Sequence, residues 1–489
     1  MRLTSFQATN FRGLAEVDLP QLEKFNVVVG YNGRGKSNLL SAIYLFLKNM
    51  KAGLMRASFE DPEQEQVLLW KDYETDKPIT LSGTIYLPPG ETLKAMGRED
   101  TVKLSVSLRI TYRSKAMFWE ADSALLNDRP LSNEGIRALE PLLDYVANQV
   151  DYVPIFDQSY FDSLMKRMAE LNRSPISLKK YWYDFVNLVS RTVPEVKGID
   201  FTDFKKLVIN MQSLPVYIDL TASGFQRVIM LLFVFWMSPG KLVLVEEPEV
   251  NMHPSLQYKI LKLIRDWAEK DILQMVTTTH SPYILPLAHA VIAMERRGNS
   301  SYATVAKLDE EVRSLMTFLG VSPGDLFFSN YILLTTGSLE PSVVKYWMSK
   351  VGADPEELGV KVYKLNNEVD LRLWRRLEEV LNLKLVIIGN CREETSGCVK
   401  IGREMESFFN RESVISSLRK IGIVPEDREL RDLNRDDMAS WLESLFKRRG
   451  LSYESLRERV GSLITSMDSM QVPTEVEVLA NKIKAEGVK

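Results

Sequence analysis

The sequence contains little cysteine and no excess of basic residues. Among its 489 residues only Cys391 and Cys398 are cysteines, which is too few for a disulfide framework and favours a reducing compartment. The chain has 62 lysines and arginines against 65 aspartates and glutamates, for a net charge of -3. It therefore has no overall basic field that would attract nucleic acid, although a local basic patch is compatible with this balance.

Long apolar segments and repeats are also missing. The longest apolar run, residues 228–237, has ten residues, whereas a helix that crosses a bilayer takes about 20. The first seven residues have no apolar stretch of the signal-peptide type, and the chain has no low-complexity tract and no long heptad pattern. We therefore expect a cytoplasmic protein without a membrane segment. Its hydrophobic content of 45% suffices for two or three folding units.

Short apolar runs alternate with segments of helical spacing, which predicts an α/β fold with a parallel sheet core. The predicted strands of the first part are residues 25–29, 79–87, 102–112, 242–245 and 273–277. Residues 133–206 are helical in pattern and charged, which indicates a helical insertion. A second alternation follows, with strand candidates at 332–334 and 385–388. We predict three parts, which are residues 1–330, 331–410 and a helical region 411–489.

A glycine-rich segment follows the first apolar run. It reads Gly30-Tyr31-Asn32-Gly33-Arg34-Gly35-Lys36-Ser37 and fits the pattern G-x-x-x-x-G-K-[ST]. In such loops backbone N–H groups point at phosphate oxygens, the lysine neutralises β- and γ-phosphate charge, and the serine ligates Mg²⁺. A plain turn between strand and helix is the alternative, but the apolar strand before the loop and the amphipathic helix after it favour a nucleotide site. We therefore predict ATP contacts throughout the loop, including Asn32, Gly33, Arg34 and Gly35.

Acidic residues follow the apolar run 242–245. The sequence there is Glu246-Glu247-Pro248-Glu249. A buried strand places such carboxylates at its C-terminal end, where α/β sheets bind ligands. We predict that Glu246 holds Mg²⁺ together with Ser37, and that Glu247 polarises the attacking water. Alone the acids could cap the next helix, but the phosphate loop favours the catalytic interpretation.

The chain has three histidines, which are His253, His280 and His289. His280 follows a predicted strand, a position that suits a γ-phosphate sensor, although it could also cap an element end. We assign no chemistry to the other two. Residues 223–227 open a strongly apolar helix, where serine and glycine could form an anion site. In isolation a plain N-cap is the favoured interpretation of Ser223.

Five segments occur in a fixed order. They are Asn10-Phe11-Arg12-Gly13-Leu14, the phosphate loop ending in Lys36-Ser37-Asn38, Ser223-Gly224-Phe225-Gln226, Glu246-Glu247-Pro248-Glu249 with His253-Pro254, and Thr279-His280-Ser281-Pro282. This order resembles that of the ABC-type ATPases related to SMC and RecF proteins. The form of the acidic segment is most similar to the OLD (overcoming lysogenization defect) family. The resemblance covers about residues 1–330.

The resemblance implies an ABC-type ATPase head, with a mixed and parallel sheet, that forms a head-to-head homodimer. ATP would lie between the phosphate loop of one subunit, including Asn38, and Ser223, Gly224 and Gln226 of the other. Arg12 would reach the phosphates, and Glu247 would activate water. The helical insertion would serve dimerisation or partner docking.

The second part departs from the OLD pattern. OLD proteins usually carry a Toprim nuclease domain, which needs a glutamate after its first strand and an Asp-x-Asp after a later one to hold Mg²⁺. Here Thr336 stands in the place of the glutamate, and Gly389 and Cys391 stand in those of the aspartates. We therefore expect residues 331–410 to form a Toprim-like domain without nuclease activity. Glu340, Glu393 and Glu394 leave a rearranged metal site as the alternative, and we expect the two cysteines to be buried thiols.

These patterns together predict an ATP-hydrolysing dimeric switch. The resemblance implies a role in DNA metabolism or in defence against phages and plasmids, with DNA and a separate effector nuclease as partners. The alternatives are a self-contained ATP-regulated nuclease and an ATP-binding scaffold with little turnover. A transporter ATPase is disfavoured, because no glutamine-containing coupling loop is evident and the acid pair is Glu-Glu rather than Asp-Glu.

Overall fold

The computed structural model describes the chain except residues 91–92, 95–99, 156, 203–205, 212–213, 391–396, 402, 434–437, 466–470 and 488–489. The chain folds as two compact units, Met1–Arg313 and Ser314–Lys489. The boundary between them precedes the predicted one at residue 330. Within the part that the structure describes, no helix is both long enough and apolar enough to cross a membrane.

The first unit contains sixteen strands in its described residues. They are β1 (Arg2–Phe11), β2 (Leu14–Leu19), β3 (Phe25–Val29), β4 (Ser58–Glu60), β5 (Ile79–Leu87), β6 (Val102–Arg113), β7 (Ala116–Leu126), β8 (Arg129–Pro130), β9 (Val150–Val153), β10 (Val196–Phe201), β11 (Leu207–Met211), β12 (Leu214–Tyr217), β13 (Leu242–Glu246), β14 (Gln274–Thr278), β15 (Ala290–Arg297) and β16 (Ser300–Lys307). All five predicted strands of this part are therefore confirmed, with ends that shift by one residue.

Thirteen of these strands form one mixed sheet, in the order β4-β7-β6-β5-β1-β2-β16-β15-β3-β14-β13-β9, with β8 beside β7. Strands β3, β14, β13 and β9 pair in parallel, whereas β1, β2, β5, β6 and β7 pair antiparallel. Every residue of β3, β13 and β14 is buried, as expected for parallel strands covered on both faces. In β5 buried and partly exposed residues alternate, because only one face meets the core. The α/β fold with a mixed and parallel sheet is confirmed.

The first unit also contains helices in its described residues. They are α1 (Lys36–Leu54), α2 (Asn133–Ala138), α3 (Glu140–Asn148), α4 (Gln158–Asn172), α5 (Ile176–Thr192), α6 (Ser223–Trp236), α7 (Pro254–Glu269) and α8 (Glu310–Phe318), the last of which spans the boundary between the units. Helix α1 buries Leu39, Leu40, Ile43, Phe46 and Leu47. These residues recur at helical spacing, and their burial fixes the helix that follows the glycine-rich loop against the sheet.

The predicted helical insertion, residues 133–206, is helical only in part. Strand β9 lies inside it and pairs in parallel with β13 at the edge of the main sheet. Strand β10 also lies inside it and forms a separate antiparallel sheet with β11 and β12. Helix α5 packs on that small sheet through Trp182, whose ring lies 5.8 Å from that of Phe201. The four residues of β9 are too few to show a strand period beside the longer helical patterns on either side.

The second unit is built around a four-stranded parallel sheet. Its strands are β17 (Tyr331–Thr336), β18 (Val360–Lys364), β19 (Leu385–Gly389) and β20 (Cys398–Lys400), in the order β18-β17-β19-β20. Its helices are α9 (Pro323–Phe327), α10 (Pro341–Lys350), α11 (Glu368–Leu381), α12 (Arg411–Lys420), α13 (Asp427–Arg431), α14 (Met438–Arg448), α15 (Arg457–Thr465) and α16 (Thr474–Gly487). Both strands predicted for this part are confirmed.

The helical region 411–489 shares one hydrophobic core with this sheet. Leu418, Phe446 and Ile483 from the helices pack in the same cluster as Leu333 and Trp347. Amphipathic helices that bury one stripe need a partner surface, and the parallel sheet offers one. The region is therefore part of the second unit, and does not fold around a core of its own.

One prediction about the cysteines is wrong. Cys398, on β20, takes part in a disulfide and is only partly buried, so it is not a buried free thiol. The sequence has too few cysteines for a framework, but a single bridge is compatible with that count. Cys391, together with Glu393 and Glu394, lies outside the described residues.

Candidate functional site

The glycine-rich loop connects β3 to α1 and contains three glycines with positive φ. The angles are 144° at Gly30, 74° at Gly33 and 90° at Gly35, a region that side chains rarely adopt. A Cβ on Gly30 would lie 2.7 Å from the carbonyl oxygen of Met294, so the close approach of β15 also requires glycine there. The loop is therefore a tight curl whose shape depends on its glycines.

Lys36 is the first residue of α1, and its ammonium group points back into the loop. Its Nζ donates hydrogen bonds to the carbonyl oxygens of Gly30, at 2.8 Å, and Tyr31, at 3.3 Å. The residue is buried, with 7% of its surface exposed. Burial lowers the pKa of Lys36, and the carboxylate of Glu247 opposes that shift. A largely desolvated cation at the start of a helix is well suited to bind phosphate.

Two predicted contact residues lie beside the start of α1. The guanidinium of Arg12 is 3.5 Å from the hydroxyl of Ser41, on the second turn of the helix. The Asn38 amide lies against Gly13, where an added Cβ would be 3.3 Å from Nδ2. The segment that precedes β2 therefore packs on the first turns of α1. Within the loop, the Arg34 guanidinium covers the ring of Tyr31 at 4.7 Å, and Asn32 is exposed.

The predicted acidic pair lies where β13 ends. Glu246 is the last residue of the strand and is 8% exposed, whereas Glu247 follows it with a φ of 41°. The backbone N–H of Glu247 is held by Thr278 of β14, through the carbonyl at 3.2 Å and the hydroxyl at 3.1 Å. Because β14 pairs with both β13 and β3, a single strand separates these acids from β3, the strand that leads into the phosphate loop. The sheet thus brings both halves of the predicted site to one edge.

His280 lies next to Glu247, which agrees with the prediction that His280 senses the γ-phosphate and that Glu247 polarises the water attacking it. Its Nε2 is 3.5 Å from Oε1 of Glu247, and both side chains remain partly exposed. His253 instead caps α7, since its ring accepts a hydrogen bond from the backbone N–H of Ser255. His289 is half-buried beside Glu269, at 3.6 Å. Of the three histidines, His280 is therefore the one in contact with a predicted catalytic acid.

Glu249 is a residue of this site to which the sequence analysis assigned no role. Its Oε1 accepts hydrogen bonds from the hydroxyl of Thr279 and from the backbone N–H of His280, the latter at 2.9 Å. Its Oε2 is buried and has no hydrogen-bond partner in the described part of the chain. Burial raises the pKa of Glu249. This carboxyl therefore connects the end of β14, with His280, to the acidic segment after β13. The one sign of it in the sequence is that Glu249 is the third acid of residues 246–249.

We expect Glu249→Ala to lower the free energy of unfolding by about 1–3 kcal/mol, because two buried donors lose their acceptor. Glu249→Gln keeps an oxygen for both donors and should cost less. Folding raises the pKa of Glu249 above its ordinary value of 4.5. The native state therefore becomes less stable as the pH rises from 4.5 through the raised native pKa, because Glu249 then loses its proton. Urea unfolding from pH 4 to 8 should therefore show a weaker decline for Glu249→Gln. Equal losses for both variants would contradict this role.

The segment at the start of α6 lies apart from the phosphate loop. Ser223 is exposed, and the N-cap position is occupied by Ala222 with no side-chain cap, so Ser223 is not the plain N-cap favoured from its local sequence. Gln226 donates to the carbonyls of Ile218 and Thr221. In the described chain, no hydrogen bond joins Ser223 or Gln226 to the phosphate loop. Both line a separate cleft beside Asn251.

Two further contacts connect α6 to the acidic segment. A Cβ on Gly224 would lie 2.4 Å from the carbonyl oxygen of Asn251, so only glycine allows this backbone approach. Arg227, which is 8% exposed, donates from Nη2 to the carbonyl of Glu246 at 2.8 Å and from Nη1 to that of Pro154 at 2.9 Å. Helix α6 is thus fixed to the end of β13, and a displacement of one would be transmitted to the other.

Comparison with known proteins gives matches over most of the chain. A family model described as "AAA domain, putative AbiEii toxin, Type IV TA system" matches residues 25–285. The OLD nuclease of Thermus scotoductus is 20% identical over 439 residues, which cover 79% of this chain and 81% of that protein. The DNA replication and repair protein RecF of Coxiella burnetii is 23% identical over 326 residues, 63% of this chain and 85% of the relative.

The chain is also similar to a solved structure. The crystal structure of the Smc head bound to the C-winged helix domain of ScpA has a TM-score of 0.46 and is 16% identical. The match covers 64% of this chain and 100% of that chain.

Proposed function

The chain belongs to the family described as "AAA domain, putative AbiEii toxin, Type IV TA system", and from that premise we propose that it is an ATP-hydrolysing dimeric switch. Its similarity to OLD nuclease and RecF confirms the resemblance predicted from the motif order, and it is an ATPase of the SMC, RecF and OLD type. The observation that best supports hydrolysis is the contact of Glu247 with His280, at 3.5 Å, at the ends of β13 and β14, the second of which pairs with the strand that leads into the phosphate loop.

We propose that the loop residues and Lys36 bind the ATP phosphates, while Ser37 and Glu246 hold Mg²⁺. The donors fit this ion, because a hydroxyl and a carboxylate are the hard oxygen ligands that Mg²⁺ takes. Glu246 is buried at the end of β13, and burial together with the Glu246 carboxylate raises the pKa of the nearby Tyr152. Bound Mg²⁺ would offset the negative charge of the phosphates. Glu247 would then accept the proton of the attacking water, and His280 would donate a hydrogen bond to the γ-phosphate.

The dimer is proposed from the position of Ser223. Its exposed hydroxyl lies at the N-terminal end of a 14-residue helix, where the helix dipole favours an anion. That hydroxyl makes no cap, and it has no hydrogen bond to the phosphate loop within the described residues. A γ-phosphate bound by another copy of the chain is a ligand of the right charge for this position. ATP held between two subunits would make closure depend on nucleotide, and hydrolysis would reopen the dimer.

A mixing experiment tests the shared site. Lys36→Ala and Ser223→Ala should each lose ATP hydrolysis as homodimers, since every site then lacks one half. A mixture of the two variants should recover part of the activity, because one site of the heterodimer combines an intact Lys36 with an intact Ser223. The control is the variant that carries both Lys36→Ala and Ser223→Ala in one chain, assayed alone. Absence of any recovery in a mixture shown to exchange subunits would refute the shared site.

We propose that the switch acts in the cytoplasm, in DNA metabolism or in defence against phages and plasmids. The names of the relatives, OLD nuclease and DNA replication and repair protein RecF, support a setting that involves DNA. DNA and an effector nuclease are the partners that we propose. We also propose that the ATPase part corresponds to the first unit, Met1–Arg313, which ends before the residue 330 expected from the sequence.

The alternative of a self-contained nuclease is favoured by two relatives named OLD nuclease, from Thermus scotoductus and from phage P2. Against it, β17 ends at Thr336, whose hydroxyl is neutral, and β19 ends at Gly389, which has no side chain, so neither residue can ligate a metal as a carboxylate does. The nearby Glu340 is paired with Lys364 at 2.8 Å. We therefore propose that the second unit is Toprim-like and lacks nuclease activity. Plasmid cleavage with Mn²⁺ that is lost in Glu340→Gln would overturn this.

A further inference from the structure

The second unit contains a cleft at the carboxyl end of its parallel sheet. Its volume is about 180 Å³, and strands β17, β19 and β20 each contribute their last residue or the next one. The polar residues that line it are Thr336, Ser338, Asn390, Lys400, Arg403 and Glu404. Ligands of open α/β sheets bind at this edge, beyond the ends of the strands. The position of the cleft therefore suits a binding site.

The floor of the cleft excludes an acidic side chain at residue 389. Gly389 has a φ of 132°, and a Cβ there would lie 2.8 Å from both the carbonyl oxygen and the hydroxyl of Thr336. The ends of β17 and β19 are thus too close for any larger residue. The Thr336 hydroxyl is itself engaged, since it donates to the carbonyl of Asn390 at 3.2 Å. A metal-binding carboxylate could not be restored at this position without moving a strand.

The charges that line the cleft do not balance. Among the described residues that line it, Glu404 is the one carboxylate; it accepts a hydrogen bond from Ser338 and is 3.3 Å from the guanidinium of Arg457, which is also paired with Glu406 at 2.6 Å. Lys400 and Arg403 are exposed at the cleft and form no ion pair with any residue that the structure describes. The side-chain amide of Asn390 likewise has no hydrogen bond there. Two cations and an amide donor thus remain available to a ligand.

We propose that this cleft binds a phosphate group. A phosphate has several terminal oxygens and up to two negative charges, which match a guanidinium, an ammonium and an amide donor. A volume of about 180 Å³ admits a phosphate with part of a sugar, but no duplex. Since the two cations match the two negative charges of a terminal phosphate, the ligand is a phosphomonoester, either on a free nucleotide or at the end of a nucleic-acid strand. The site does not depend on ATP hydrolysis by the first unit.

The test uses the full chain carrying Lys36→Ala, so that the phosphate loop contributes little. Fluorescence anisotropy would compare a 5′-phosphorylated single-stranded oligonucleotide with the same strand bearing a 5′-hydroxyl, and calorimetry would measure inorganic phosphate and adenosine monophosphate. We expect Lys400→Ala and Arg403→Ala each to weaken phosphate binding about tenfold, the effect of one lost charge-assisted hydrogen bond. Lys420→Ala, an exposed lysine of the same unit, is the matched control and should bind unchanged.

The probes separate the two sources of the phosphate. Preference for the phosphorylated strand indicates a nucleic-acid end, whereas binding of adenosine monophosphate without that preference indicates a free nucleotide. The proposal is overturned if none of the phosphate probes binds, or if the Lys400 and Arg403 variants bind them as well as the control does. Because both residues are exposed, we expect both variants to fold, and circular dichroism verifies this. Loss of ATP hydrolysis elsewhere in the chain would leave these results unaffected.

Discussion

Replacing Lys36 with alanine is expected to raise the dissociation constant of ATP about a hundredfold and to abolish hydrolysis, since charge-assisted bonds of about 3 kcal/mol are lost. The ammonium is buried and points into a loop whose shape is set by Gly30, Gly33 and Gly35. No neighbouring lysine of α1 can replace it, because Lys48 and Lys51 lie three and four turns further along the helix. Isothermal calorimetry with Mg·ATP measures the change directly.

The control for this change is Lys51→Ala, on the last turn of the same helix. Lys51 forms ion pairs with Glu140 and Asp144 on the surface, and exposed pairs contribute little to stability. That variant should bind ATP as the wild type does. If both variants bind ATP with the affinity of the wild type, the phosphate loop is not the nucleotide site.

Replacing Glu247 with glutamine is expected to lower ATP turnover by about 10²–10⁴-fold, the contribution typical of a general base. The substitution keeps the shape of the side chain and leaves the backbone N–H held by Thr278. Binding of ATP should therefore survive, and the closed dimer should accumulate because it can no longer reopen. Size-exclusion chromatography with light scattering, in Mg·ATP, should show a dimer that persists in the variant and disperses in the wild type.

The matched control is Glu16→Gln, an exposed glutamate on β2 of the same unit. It removes the same charge without touching the acidic segment, and its turnover should equal that of the wild type. Equal turnover in Glu247→Gln and the wild type would show that Glu247 is not the base. A wild type whose own turnover is negligible would favour the scaffold alternative.

Much of the first unit could be predicted because its chemistry depends on local sequence. Strands β3 and β13 are mainly apolar, and each leads directly into the residues that the site uses. The role of Glu249 could not be predicted, since its partners Thr279 and His280 lie thirty residues away and meet it only through the pairing of β13 with β14. The role of Arg227 could not be predicted either, because its guanidinium bonds to backbone carbonyls, which leave no signal in a sequence.

In the second unit the sequence predicted two of the four described strands, β17 and β19, and the absence of the acids, but not why residue 389 is a glycine. The neutral residues Thr336 and Gly389 are visible in the sequence, whereas the 2.8 Å approach that requires the glycine is a property of two packed strand ends. The core shared by the sheet and the helices after residue 410 was equally hidden. An amphipathic pattern shows that a helix buries one face, but not which surface covers it.

Single-turnover hydrolysis is the most direct test of whether this site binds ATP and cleaves it through Glu247. Enzyme in excess over labelled Mg·ATP would be quenched at short intervals, with wild type and Glu247→Gln measured side by side. We predict that the wild type converts its bound ATP to ADP, whereas the variant retains bound ATP over the same interval. Bound ATP that stays intact in the wild type, or is cleaved equally fast in both proteins, would contradict this mechanism.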